Sequence, residues 1–65
     1  MIFEELLDIL EIEEEEKIHV ITEDDYCFTD NKESFMCRYT DYLSCQIDSF
    51  RFDRALDMYV VILRY

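Results

Sequence analysis

The chain has 65 residues, an apolar fraction of 51% and a formal net charge of −11 at pH 7. That much hydrophobe in so short a length makes a single folded domain, residues 1–65, and not a disordered segment; small domains commonly supplement their cores with a metal, a disulfide or a second copy. The charge disfavours nucleic acid and anionic membrane surfaces as direct partners, no apolar run approaches the ~20 residues of a membrane-spanning helix, and the lack of any glycine excludes phosphate-binding glycine loops and the EF-hand.

Residues 3–11 read as a short amphipathic helix. Phe3, Leu6, Leu7 and Leu10 recur at helical spacing and leave Glu4, Glu5, Asp8 and Glu11 on the other side. Glu13, Glu14, Glu15 and Glu16 repel one another and belong to the connection that follows. Lys17 to Thr22 alternates Ile18 and Val20 with His19 and Ile21 and is rich in β-branched residues, so it is a strand. With no glycine or proline, turns must use Asp or Asn, and Asp24-Asp25, Asp30-Asn31 and Asp53 are the candidates. The turn Glu23-Asp24-Asp25 returns the chain into a second strand, Tyr26 to Thr29.

Asp30, with Glu33 three residues on, reads as a capping box that opens a helix from about Lys32. Phe35, Met36, Tyr39, Tyr42 and Leu43 form its stripe, which Thr40-Asp41 is placed to interrupt. Cys45 to Phe52 is a third strand with a parity conflict: Cys45 and Ile47 share one face, Phe50 and Phe52 the other. A bulge near Asp48-Ser49 would resolve it, as would a strand buried on different faces in its two halves. Met58 to Arg64 is the strongest strand, apolar on both faces and therefore covered on both. The expected fold is α+β, in the order α-β-β-α-β-β, with two helices and about four antiparallel strands. An apolar strand at the end of the chain also predicts a homodimer that covers this strand or a face of its sheet.

The charge is segregated. Residues 1–25 hold eleven acids against one base, Lys17, whereas residues 26–65 hold six acids against five bases. The acidic sector (Glu4, Glu5, Asp8, Glu11, Glu13 to Glu16, Glu23, Asp24, Asp25) is the one positive functional signal, because such a field selects cationic partners. Its plainest role is to keep the domain soluble. Its sharper role is that of a decoy: carboxylates one helical turn apart are separated by ~6–7 Å, similar to successive phosphates, so they suit a basic groove. Tyrosine is favoured at interfaces, and Tyr26 and Tyr39 are the candidate anchors beside the acidic rim.

Little in the chain suits catalysis or cofactor binding. The lone histidine, His19, lies within a strand; Cys27 across the hairpin is the nucleophile nearest to it, with no orienting third group in view. Glu23, Asp24 and Asp25 lack the spaced ligands of a calcium loop, and His19 with Cys27, Cys37 and Cys45 lacks zinc spacing. No cofactor and no enzymatic activity are expected. An odd cysteine count, no C-x-x-C, and an N-terminal apolar run interrupted by Glu4 and Glu5 point to reduced thiols in the cytoplasm.

The opening Glu4-Glu5-Leu6-Leu7 and the stretch from Tyr42 to Phe52 (YLSCQIDSFRF), set before a hydrophobic C-terminal strand, resemble the small acidic accessory proteins encoded by phages and prophages. That group includes uracil-DNA glycosylase inhibitors, anti-restriction proteins and anti-CRISPR proteins, several of them DNA mimics and many of them dimers. The resemblance implies a non-enzymatic inhibitor that binds a basic nucleic-acid-binding groove of a host protein in the host cytoplasm. The other expectation from the residues is a small acidic adaptor or regulatory interaction module that oligomerises.

Overall fold

Two helix-then-hairpin units build the domain. In a computed structural model that describes all 65 residues, the elements are α1 (Phe3–Ile9), β1 (Lys17–Ile21), β2 (Cys27–Asn31), α2 (Lys32–Cys37), a 3-10 turn at Thr40–Tyr42, β3 (Gln46–Asp53) and β4 (Met58–Arg64). This is the α-β-β-α-β-β order and the α+β class read from the sequence.

The sheet differs in one respect from an all-antiparallel arrangement. Its strand order is β2-β1-β4-β3, with antiparallel hairpins outside and β1 parallel to β4 at the centre. The two most apolar strands take the central positions, where both edges are hydrogen-bonded. There β1 and β4 run parallel, so the sheet is mixed. β4 is therefore an interior strand, hydrogen-bonded along both edges.

The parity conflict of β3 is resolved by a bulge. Ile47 pairs with Leu63 and Ser49 with Ile62, so Asp48 is the extra residue. Beyond it Phe50 and Phe52 return to the face already used by Ile47. Both helices cover that face. Phe3, Leu6 and Leu7 of α1, Phe35 of α2, Ile18, Val20, Val61 and Leu63 of the sheet, and Cys45 form one buried cluster. Met36, Tyr39, Tyr42 and Leu43 pack against it even though the second helix stops at Cys37, so the stripe is kept while the helix breaks where Thr40-Asp41 suggested.

Helix starts are capped in two ways. Ile2 offers no side-chain acceptor to α1; instead Phe3 and Glu4 donate their N–H groups to the carbonyls of Cys45 and Leu43, both at 3.0 Å, and Glu5 Oε1 accepts from Ile2 N–H at 3.0 Å. At α2 the N-cap is Asn31, whose side chain accepts from Ser34 N–H at 2.8 Å, one residue later than Asp30. Two residues adopt the left-handed conformation, Asp25 (φ 66°) and Asp57 (φ 56°). The first belongs to a turn candidate; at the second turn Asp53 instead accepts from Ala55 and Leu56 N–H and starts the turn that Asp57 ends.

Candidate functional site

All eleven acids of residues 1–25 are exposed. None is ion-paired: the one salt bridge in the chain joins Arg51 to Asp53 at 3.8 Å. The local folding explains this. Phe3, Leu6 and Leu7 turn inward, so Glu4, Glu5 and Asp8 stand on the outer side of α1, and the 10–16 connection lies on the surface because only Leu10 and Ile12 in it pack against the core.

The sheet has two ends, which divide the sector. Parallel β1 and β4 finish at the same end, where Gln46 of β3 faces Arg64. α1 starts there, through the Ile2–Gln46 bridge. The turn Glu23-Asp24-Asp25 is there too, with Glu23 Oε2 accepting from Tyr65 N–H at 3.1 Å. At the other end, Asp8, Glu11, Glu13, Glu14 and Glu16 line one open recess of about 580 Å³. Lys32 is the only base in it, and its Nζ donates to the Leu10 carbonyl at 3.2 Å. Glu15 is exposed nearby in sequence but does not line the recess. The α1 acids thus lead into the recess, while the 23–25 turn lies a strand length away, roughly 16 Å for five residues.

The two tyrosine anchors separate. Tyr26 is 62% exposed and lies parallel to Phe28, with centroids 6.5 Å apart, so it is available to a partner. Tyr39 is not. It packs 5.3 Å from Phe28 and 5.2 Å from Phe35 against the core, because the apolar stripe of the second helix continues through it. Sequence reading also missed a second aromatic group. Phe50, which stacks on Tyr59 at 5.3 Å, and Phe52, edge-on to Tyr59 at 5.2 Å, are both exposed on β3. The bulge places them on the helix side but beyond the helices, a signal contained in the parity conflict.

Catalytic geometry does not assemble around His19. Its Nδ1 lies 2.8 Å from the Thr29 hydroxyl, its cross-strand partner. Cys27 pairs instead with Ile21, and its Sγ is directed at the Asp25 carbonyl at 3.9 Å. No three His, Cys, Asp or Glu side chains converge as metal ligands, and no helix is long and apolar enough to cross a membrane. Compared with protein-family models, curated proteins and solved structures, the chain shows no significant match.

Proposed function

We propose that this protein is a non-enzymatic inhibitor of phage type, which binds a basic nucleic-acid-binding groove of a host protein such as a CRISPR effector, a restriction enzyme or a repair enzyme. The observation that carries the reading is the continuous run of exposed, unpaired carboxylates from Glu4 and Glu5 through Asp8 and Glu11 to the recess lined by Glu13, Glu14 and Glu16. Carboxylates without an ion-pair partner keep their charge for a ligand, and such a field raises the association rate with a cationic groove. Exposed Tyr26 would add residence time beside the Glu23–Asp25 turn.

A second reading has one observation in its favour. The Glu23–Asp25 turn stands at the opposite end of β1 from the recess, and a sector spread over both ends suits an acidic adaptor whose charge serves solubility. The experiment that separates the two is a triple reversal, Glu4→Lys, Asp8→Lys and Glu11→Lys, on exposed positions opposite the Phe3/Leu6/Leu7 face. Proteins retained from a bacterial lysate by the immobilised wild type are eluted with salt, identified, and assayed for nucleic-acid binding and cleavage. The inhibitor reading expects loss of inhibition with a slowed association rate in the folded variant. Wild-type association kinetics at low salt would end it.

A further inference from the structure

Three strand ends meet at the acidic end of the sheet and form a second recess. The parallel register that sets Ile18 beside Tyr59 brings the starts of β1 and β4 together. The antiparallel register that pairs Phe52 with Tyr59 adds the end of β3 beside them. Glu16, Lys17, Phe52, Asp57 and Met58 line the recess, whose volume is about 420 Å³. Glu16 also lines the larger recess that holds Asp8, Glu11, Glu13 and Glu14, so the run of acids does not stop at the connection. A hydrogen bond from the Glu16 N–H to the Glu13 carbonyl, 3.0 Å, closes the turn that brings Glu16 to the boundary of the two.

The lining combines charge with an aromatic ring. Glu16 and Asp57 are exposed, and neither is ion-paired, although Lys17 lines the same recess. Neighbouring strands lie only ~4.8 Å apart, and like charges at facing positions repel, so the recess is short of a cation. Phe52 is 48% exposed and rests edge-on against Tyr59 at 5.2 Å. Tyr26, the other exposed aromatic anchor, stands at the opposite end of β1. Phe52 is the ring that the acid run reaches.

We infer that this recess takes the side chain of an arginine from the basic partner. The guanidinium lies against the Phe52 ring and between the carboxylates of Glu16 and Asp57. The inference rests on the inhibitor reading for its partner, and it adds an anchoring contact at the end of the acid run. The chemistry selects this occupant. A weakly hydrated planar cation stacks on an aromatic face and still offers donors to two carboxylates. A lysine ammonium is compact and strongly hydrated, and it gains less from the ring. A divalent metal lacks ligands, because no three carboxylate, thiol or imidazole groups converge. An anion meets two carboxylates against one base.

Size and neighbours fit the same occupant. A volume of about 420 Å³ lies at the small end of ligand clefts, which suits one long side chain and not a folded segment. Met58 gives the methylene stem an apolar wall. Lys17 is exposed, and its flexible stem lets the ammonium move into solvent when a second cation arrives. The ring and the carboxylates contribute differently. Salt screens the carboxylate contacts, whereas stacking on Phe52 depends on the shape of the cation and sets the choice of arginine over lysine.

Two capped peptides test this by NMR titration of the full chain: one rich in arginine, the other with every arginine replaced by lysine. At low salt the arginine peptide is expected to bind about three- to fivefold tighter, with shifts centred on the amides of Lys17, Phe52 and Met58. Phe52→Leu, at an exposed position, is expected to remove this preference and leave the lysine peptide's affinity unchanged. Glu16→Gln with Asp57→Asn is expected to weaken the arginine peptide about threefold or more at low salt; asparagine suits the left-handed conformation at 57. These readouts need no host target, and the triple reversal at Glu4, Asp8 and Glu11 lies outside this recess, so the inhibitor reading stands or falls separately. Equal affinities of the two peptides for the wild type overturn the proposal. So does an arginine preference that survives Phe52→Leu, or an unchanged affinity in the carboxamide pair. If Phe52→Leu fails to fold, NOEs between arginine δ-methylene protons and the Phe52 ring must still appear in the wild type, and their absence overturns it.

Discussion

The rings of Phe3 and Phe35 meet edge-on, 5.4 Å between centroids, and join α1 to α2 over the middle of the sheet. Both are essentially inaccessible to solvent. Truncating a buried Phe to Ala costs about 3–5 kcal/mol, and a 65-residue domain has only about 3–10 kcal/mol in total. Phe35→Ala is therefore expected to leave the chain largely unfolded at 25 °C, whereas Phe35→Leu keeps a cooperative urea transition at a lower midpoint. A Phe35→Ala variant with an unchanged midpoint would show that the two helices do not depend on this contact.

The three thiols should divide two to one. Cys27 and Cys37 are exposed and Cys45 is buried, and burial pushes the Cys45 thiol up from its ordinary value. Two thiols are expected to react at once with Ellman's reagent and the third only on opening of the fold, about 100-fold slower or more. Because the folded value is raised, the native state holds this proton to higher pH than the unfolded chain. The contribution is complete below the unfolded thiol's pKa of about 8.5 and is lost as pH rises through the folded value. The stability difference between wild type and Cys45→Ala should narrow above about pH 9. Three equally fast thiols would contradict the burial.

Asp30 acts at the acid end. The Asn31 N–H donates to Asp30 Oδ1 at 2.8 Å, and this bond, aided by Ser34, Lys17 and Arg38 against some desolvation, holds the carboxyl below its usual range. A depressed folded pKa stabilises the fold above the unfolded value of about 3.9, and the stabilisation disappears as pH falls through the folded value. Wild type should exceed Asp30→Ala in denaturant midpoint at pH 6 and approach it below about pH 3. A gap that stays constant with pH would mean that the carboxylate's charge is not what matters.

Asp57 holds a left-handed conformation (φ 56°) that disfavours any residue with a Cβ. Asp57→Gly is expected to raise stability by up to about 1 kcal/mol, and Asp57→Val to lower it by about 1 kcal/mol or more. Denaturant midpoints check both. A stabilising Asp57→Val would show that the turn has changed its conformation.

Elements set by local pattern were legible in the sequence. The 3/6/7/10 spacing gave α1 its buried face, the parity conflict of β3 located the bulge, and the stripe from Phe35 to Leu43 marked residues that pack even where the helix breaks. The acids of residues 1–25 were legible as exposed because nothing near them in sequence neutralises them. What depends on strand order was not legible. The parallel β1–β4 pairing joins residues 41 positions apart, such as Ile18 and Tyr59, and no local signal records its direction. The meeting of Glu16, Asp57 and Phe52 in one recess follows from that order, so it too was hidden. Tyr39 was read as an anchor because tyrosine suits both a core and an interface, and only Phe28 and Phe35 beside it decide which.

The parallel centre of the sheet also sets the order in which the chain can fold. Each outer hairpin closes over a short loop, but the β1–β4 ladder must bring together two segments from opposite ends of the chain before it returns any contact energy. The floor of the core, Val20 beside Val61, is complete only when that closure occurs. The hairpins can form and dissolve freely beforehand, and the passage to the native state is governed by the meeting of the chain's two halves.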